Sequence, residues 1–236
     1  MSTPNITRWI AIGLLGLPLY GAMTFFSSID PQPDPNTHYE AWARFVTTNH
    51  YVLQHLLGTT LGAILVIFGV IALGAYLAGG RAGRLGLVAM VITVLGQGLF
   101  LTWAGTSTFS APKEGQVYLA GMEAFAQRTP IFADAAQGVT ILAAILLNFV
   151  GYLLLGVAVW RSGTLQRWAG VLWAVAVVML YPLGLMYAMI SGVQSTPRTV
   201  LVGVLLIAIS GAWIAWSAIR QPSAEAVVVQ AQPRTQ

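Results

Sequence analysis

The chain has 236 residues, of which 57% are hydrophobic and only 8% are charged, and its net charge is +4. A soluble domain carries roughly 25% charged residues, so this composition excludes a water-exposed globular surface and indicates a protein embedded in lipid. The eleven basic residues form no run, which argues against nucleic acid as a partner. Cysteine is absent, which excludes disulfides, thiolate metal sites and a cysteine nucleophile.

Six apolar segments along the chain are each long enough to cross a bilayer. None of them contains Asp, Glu, Lys or Arg, and they are Trp9–Phe26, Tyr51–Gly79, Leu85–Ser107, Ala136–Trp160, Trp168–Ile190 and Thr199–Ile219. Because helices satisfy their own backbone hydrogen bonds inside lipid, the sequence predicts an all-α polytopic membrane bundle of six transmembrane helices. We expect one domain over residues 1–220 and a disordered cytoplasmic tail over residues 221–236.

The first segment is expected to be an uncleaved span and not a signal peptide. Its apolar stretch is longer than the core of a signal peptide, and no A-x-A cleavage site follows it. Pro18 in this segment and Pro182 in the fifth each predict a kink, because proline cannot donate the backbone hydrogen bond of a helix. Gly58 and Gly62 in the second segment form a GxxxG pattern, which predicts close helix packing.

A short amphipathic helix is predicted between the first two segments. Three prolines in the stretch SSIDPQPDPNTHYE favour extended backbone before it. The following residues THYE, from Thr37 to Glu40, fit a capping box, which predicts a helix start. Trp42, Phe45 and Val46 then recur at helical spacing on one apolar face. We expect this helix to lie on the outer membrane surface.

The basic residues predict the orientation of the chain in the membrane. If the N-terminus is cytoplasmic, the inner side holds Arg8, Arg81, Arg84, Arg161, Arg167, Arg220 and Arg234, and the outer side holds Arg44, Lys113, Arg128 and Arg198. This excess agrees with the positive-inside rule. Six of the acidic residues then fall outside, namely Asp30, Asp34, Glu40, Glu114, Glu123 and Asp134. Both termini are therefore expected in the cytoplasm.

The chain also contains a predicted internal repeat. A shift of about 80 residues aligns Phe45 with Phe125, Gly58 with Gly138, Thr60 with Thr140, Ala63 with Ala143, Arg81 with Arg161 and Gly83 with Gly163. The repeat units, about residues 38–112 and 115–192, would each contain an outer amphipathic helix and a two-span hairpin. Both copies run in the same direction, so their symmetry axis would lie along the membrane normal. We expect the two hairpins to form a four-helix centre that the first and last spans flank.

Three stretches of the chain resemble a widespread group of uncharacterised bacterial membrane proteins of unknown function. They are HLLGTTLGAILVIFGVIALGAYL, RAGRLGLVAMVITVLG and LLLGVAVWRSGTLQRWAGVLWAVAVVM. The similarity covers roughly Trp42 to Met179. It implies a location in the bacterial plasma membrane, and it implies no particular activity.

Two histidines, His50 and His55, are candidate metal ligands where a polar stretch becomes apolar. Neutral imidazole binds zinc, copper or haem iron. Five helical residues place the two side chains roughly 140° apart, so one regular helix cannot direct both at one metal. The repeat would bring Asp134 close to His55, which makes His50, His55 and Asp134 the predicted outer site. The alternative is that both histidines are interfacial and bind nearby carbonyl groups.

Three amide side chains inside the apolar segments are candidates for a polar pocket. Gln97, Gln137 and Asn148 must each find hydrogen-bond partners across helices, because lipid offers none. Such amides either hold helices together or line a ligand site between the two hairpins. Both interpretations are open at the level of sequence.

No recognisable catalytic motif occurs in the chain, which favours a protein that is not an enzyme. The leading hypothesis is an integral plasma-membrane protein that binds a small apolar ligand or a partner subunit, including a second copy of itself. Two alternatives stay open: a metal- or haem-dependent enzyme or redox subunit with an outer His/Asp site, and a small secondary transporter built on the repeats. The spans lack acidic residues, which weighs against a proton-driven pump. The sequence leaves any cofactor unknown.

Overall fold

A computed structural model describes residues 3–122, 135–191 and 196–220, and the regular structure in these ranges is helical. Six helical spans in these ranges are long and apolar enough to cross a membrane. In chain order, spans 1 to 6 are Arg8–Ser28, Asn49–Ala78, Gly83–Leu119, Ala135–Arg161, Arg167–Ser191 and Arg198–Ile219. The predicted all-α membrane bundle is confirmed. The predicted tail over residues 221–236 lies outside the described residues.

Four of the six spans are divided into shorter helices. Span 1 consists of Thr3–Leu14 and Gly16–Ser28; span 2 of Asn49–Gln54, a π-helical segment His55–Leu61, and Gly62–Ala78; span 3 of Gly83–Gly105, a π-helical segment Thr106–Ser110, and Ala111–Leu119; span 5 of Arg167–Leu180, a π-helical segment Tyr181–Met186, and Tyr187–Ser191. Spans 4 and 6 are continuous helices, Ala135–Arg161 and Arg198–Ile219.

Both predicted proline irregularities are present. Span 1 is interrupted at Leu15, one turn before Pro18, because the proline cannot donate to the carbonyl group of Leu14. In span 5, Pro182 lies at the start of the π-helical segment, where the wider turn accommodates its missing N–H group.

The predicted amphipathic helix runs over Tyr39–Val46, and its capping box is not formed. The Asp34 carbonyl accepts hydrogen bonds from the N–H groups of Thr37 and His38, which keeps Thr37 in the preceding turn. Glu40 instead pairs with Arg44 one turn later, at 2.7 Å. We call the end of the bundle with this helix the outer end and the opposite end, with turns 79–82 and 162–166, the inner end.

The six spans form a closed ring in chain order. Each span packs against the next one along the chain, and span 6 returns to pack against span 1. Spans 1 and 6 therefore complete the ring between spans 2 and 5 and do not flank a separate four-helix centre. The apolar core lies inside this ring, where Leu17, Leu73, Tyr152, Trp173 and Ile207 are fully buried.

Small residues bring the helix backbones close together. A β-carbon on Gly58 would lie 2.6 Å from the Met23 carbonyl oxygen of span 1, so the predicted close packing at the GxxxG pattern is confirmed there. Spans 3 and 4 cross even more tightly. A β-carbon on Gly96 would lie 2.8 Å from the backbone nitrogen of Asn148, and one on Gly151 would overlap Thr93. This crossing fixes which side chains meet near the middle of the bundle.

Candidate functional site

An acidic side chain joins spans 1 and 2 at the outer end. Asp30 Oδ2 lies 2.8 Å from His50 Nε2 and accepts a hydrogen bond from Gln54 Nε2 at 2.6 Å. These hydrogen bonds, with that of His50 contributing most, hold the pKa of Asp30 below its usual value of 3.8. The side chains of His50 and Asp30 are 64% and 40% exposed, so the pair anchors a surface loop and encloses no cavity.

His55 is held by its own helix. Its Nδ1 lies 3.1 Å from the Tyr51 carbonyl oxygen, and its ring stacks on the Tyr51 ring with centroids 3.9 Å apart. Tyr51 in turn donates a hydrogen bond to the Ser107 carbonyl oxygen of span 3 at 3.0 Å. The half-buried imidazole therefore has the backbone carbonyl partner expected of an interfacial histidine.

The described residues do not assemble a metal centre at the outer end. No group of three or more His, Asp or Glu side chains in the described ranges is placed to hold a metal ion. His50 and His55 contact different partners, as the 140° separation of their side chains requires. Asp134 lies outside the described residues, so a site formed by His50, His55 and Asp134 stays a prediction.

A buried carboxyl group, which the sequence analysis did not single out, ties the outer helix to span 3. Tyr39 donates a hydrogen bond to Glu114 Oε1 at 2.5 Å, and Glu114 is only 8% exposed. Burial, with the charge and hydrogen bond of Glu114, raises the pKa of the Tyr39 phenol above its ordinary value. Trp42 and Ala111 complete the apolar surroundings. This contact is structural, since it holds the helix over the outer end of the ring.

A polar cluster occupies the interior of the ring. Gln97 of span 3 donates a hydrogen bond from Nε2 to the Tyr152 hydroxyl of span 4 at 2.8 Å, and both side chains are at most 1% exposed. Tyr20 of span 1 shares side-chain hydrogen bonds with Tyr181, Tyr152 and Gln97. Trp173 donates to the Tyr152 carbonyl oxygen at 3.0 Å. Side chains from four spans thus meet around Tyr152.

Two of the three predicted amides belong to this region, and the third does not. Asn148, 1% exposed, lies against Gly96, the neighbour of Gln97. Gln97 Oε1 and Asn148 Oδ1 accept no hydrogen bond from the part of the chain that the structure describes. Gln137 is half-buried near the outer end of span 4, eleven residues from Asn148, a distance of roughly 16 Å along the helix. The structure therefore brings Gln97 and Asn148 together and leaves Gln137 apart.

The sequence analysis did not identify Tyr20 and Tyr181 as part of this cluster. Tyrosine is common at membrane interfaces, and both residues were passed over for that reason. Tyr181 stands near the middle of its apolar segment, beside Pro182, and this depth is a signal that an interfacial residue would lack. Tyr20 offers no comparable signal, because only its packing into the ring shows that it faces inward.

An apolar groove of about 390 Å³ opens between spans 4 and 5 on the surface that faces away from the ring. Its walls include Leu153, Gly156 and Trp160 of span 4 and Gly170, Val175 and Leu183 of span 5. Gly156 and Gly170 pack in contact: a β-carbon on Gly170 would lie 2.5 Å from the Gly156 carbonyl oxygen. The two backbones form the floor of the groove, and the larger side chains on either side form its walls.

These features define the class of the protein as a multi-pass integral membrane protein. Six apolar spans form the ring, and large hydrophobic side chains such as Phe68, Val139 and Ile190 cover much of its outward surface at 58%, 69% and 88% exposure. The chain matches no protein-family model, no curated protein and no solved structure. A more specific function must therefore be argued from the geometry of the chain itself.

Proposed function

We propose that this protein binds a small apolar molecule within the membrane and that the groove between spans 4 and 5 holds it. The observation that carries the proposal is the groove itself: about 390 Å³, open at the surface and lined by apolar side chains. The occupant that we infer is an acyl chain of a membrane lipid, because the groove lies on the lipid-facing side of two spans.

The length of the groove supports an acyl chain as its occupant. Along span 5 the lining residues run from Gly170 to Leu183, which is roughly 20 Å of helix. One leaflet of the hydrocarbon core is about 15 Å thick, half of the ~30 Å bilayer core. A groove that begins at the inner end and extends along one leaflet matches a chain that runs inward from a headgroup.

Packing contacts supply the affinity that we expect for this site. Lipid tails are as apolar as the groove, so transfer between them releases little hydrophobic free energy. Each well-placed contact between heavy atoms contributes ~0.1–0.2 kcal/mol, and ten to twenty contacts would contribute roughly 1–4 kcal/mol. The expected binding is therefore modest and sensitive to groove shape.

The test fills the groove with a bulky side chain. In Val175→Trp the indole should occupy the groove and weaken phosphatidylcholine binding, measured by native mass spectrometry of purified protein, at least about fivefold. Val202→Trp is the matched control, because Val202 of span 6 is 44% exposed against 45% for Val175 and does not line the groove. Equal lipid binding by the two variants would refute the proposal. A change in oligomeric state confined to Val175→Trp would instead identify the groove as an interface with a second copy.

We also propose that the chain lies in a bacterial plasma membrane with both termini in the cytoplasm. The distribution of arginines supports this orientation, since the inner end carries the excess. The chain lacks cysteine, so a single Asp34→Cys variant can report the location of the outer loop. In intact cells this thiol should react with a membrane-impermeant maleimide. Protection of this thiol, together with labelling of Gly80→Cys in the inner turn, would reverse the orientation.

A further inference from the structure

We propose that the inner mouth of the groove selects lipids with an anionic phosphate headgroup. This inference rests on the proposed function, because the chain in the groove determines where the headgroup lies. It goes further by naming the chemical class of lipid and the residues that recognise it, Arg161 and Arg167.

The two arginines flank the mouth of the groove at one level. Arg161 is the last residue of span 4 and directly follows Trp160, which lines the groove. Arg167 is the first residue of span 5, one turn before the groove residue Gly170. Both side chains are exposed. The short turn 162–166 joins them, so a headgroup at the mouth of the groove would lie between two guanidinium groups.

Aromatic side chains hold this rim at the depth of the headgroups. The guanidinium group of Arg167 lies 5.7 Å from the centre of the Trp168 ring, within range of a cation–π interaction. Trp160 and Trp168 are 55% and 58% exposed at the inner end. Exposed tryptophans favour the boundary between hydrocarbon and headgroups. The arginines beside them are therefore placed at the level of lipid phosphates.

The positive charge of this rim is not neutralised by the described part of the chain. The acidic side chains in the described ranges, Asp30, Asp34, Glu40 and Glu114, belong to the outer end, and both ion pairs found there are at that end.

Two further features add positive potential. The guanidinium group of Arg81, from turn 79–82, reaches to 3.7 Å from the β-carbon position of Gly163 in turn 162–166. The first turn of span 5 contains no acidic residue, so the positive end of its helix dipole adds to the same potential.

Arginine is suited to this role because its planar guanidinium group binds phosphate oxygens through two hydrogen bonds at once. An arginine near a membrane surface contributes about 1 kcal/mol toward anionic lipid, so two should favour an anionic over a zwitterionic lipid by roughly tenfold to thirtyfold. A free phosphate ion shares the headgroup chemistry, but it lacks the chain that would occupy the groove.

The test compares phosphatidylglycerol with phosphatidylcholine of identical acyl chains, again by native mass spectrometry. Wild-type protein should prefer phosphatidylglycerol by roughly tenfold or more. The double variant Arg161→Gln/Arg167→Gln should lose most of this preference. The control, Arg8→Gln/Arg220→Gln, removes the same charge from the inner ends of spans 1 and 6, and it also disrupts an arginine stacked on tryptophan, since Arg220 lies 4.2 Å from the Trp216 ring. This control should keep the preference.

The outcomes separate the inference from the proposed function. If Val175→Trp weakens the binding of both lipids while Arg161→Gln/Arg167→Gln leaves their ratio unchanged, the groove binds chains and the headgroup inference is wrong. An equal loss of preference in both double variants would reduce the effect to general surface charge and would overturn it too. Displacement of phosphatidylglycerol by millimolar inorganic phosphate would show a phosphate site without lipid selectivity.

Discussion

The crossing of spans 3 and 4 gives a sharp test of the fold, through the substitution Gly151→Ala. A β-carbon at Gly151 would lie 2.3 Å from Thr93 Oγ1 and 2.7 Å from the Thr93 backbone nitrogen. The hydroxyl could be displaced, but the backbone nitrogen can move only if span 3 moves. Because this crossing positions Gln97 and Asn148, its separation would also disturb the polar cluster.

The expected magnitude follows from two opposing effects. Overpacking a tight interface costs about 1–3 kcal/mol. Replacing glycine by alanine within a helix contributes up to about 1 kcal/mol in the opposite direction. We therefore expect Gly151→Ala to lower the free energy of unfolding by roughly 1–2 kcal/mol. Gly98→Ala is the control, because a β-carbon at Gly98 would meet nothing within 4 Å and only the helix gain applies.

Thermal unfolding in a mild detergent measures this difference. For a chain of this size, 1 kcal/mol corresponds to roughly 2–4 °C in Tm, so Gly151→Ala should melt several degrees below Gly98→Ala. Adding Thr93→Ala should recover part of the loss, because it removes the hydroxyl contact and leaves the backbone contact in place. If Gly151→Ala and Gly98→Ala have equal Tm values, spans 3 and 4 do not cross at this pair of residues.

Two further predictions concern polar groups. Tyr152→Phe should lower the free energy of unfolding by about 1–3 kcal/mol, because it leaves the buried Gln97 amide without its acceptor; the double variant Gln97→Leu/Tyr152→Phe should cost less than the sum of the single changes, and additive Tm shifts would show that the hydrogen bond contributes nothing. The lowered pKa of Asp30 predicts stability that is complete above pH 3.8 and declines as the pH falls through the folded-state pKa. His50→Ala should make that acid-induced loss of Tm smaller, and a loss identical to that of the wild type would contradict the assignment of His50 as the main partner.

Several parts of the fold could be predicted because they depend on local sequence. A span is defined by about twenty consecutive apolar residues, so the six segments identified the six helices to within a few residues at most ends. The outer end of span 3 is the exception: it continues through Lys113 and Glu114 to Leu119, because the outer helix covers Glu114 and Tyr39 satisfies it. No local pattern reveals such a cover.

The candidate site was predictable only in part. Gln97 and Asn148 could be identified, because an amide within an apolar segment requires a partner wherever it lies. The identity of that partner, Tyr152, and the contribution of Tyr20 depended on which helix faces meet. The internal repeat and the outer site with Asp134 stay predictions.

The sequence by itself determined that this chain enters a membrane, how many times it crosses and where prolines disturb its helices, since these properties follow from hydropathy and backbone chemistry within one or two turns. The tertiary structure decided the closed ring, the inward direction of Tyr20 and Tyr181, and the groove above Gly156 and Gly170. In lipid, all apolar faces of a helix are equally compatible with the solvent. Which faces pair is therefore set by shape, through glycines that allow close approach to helices far away in the sequence.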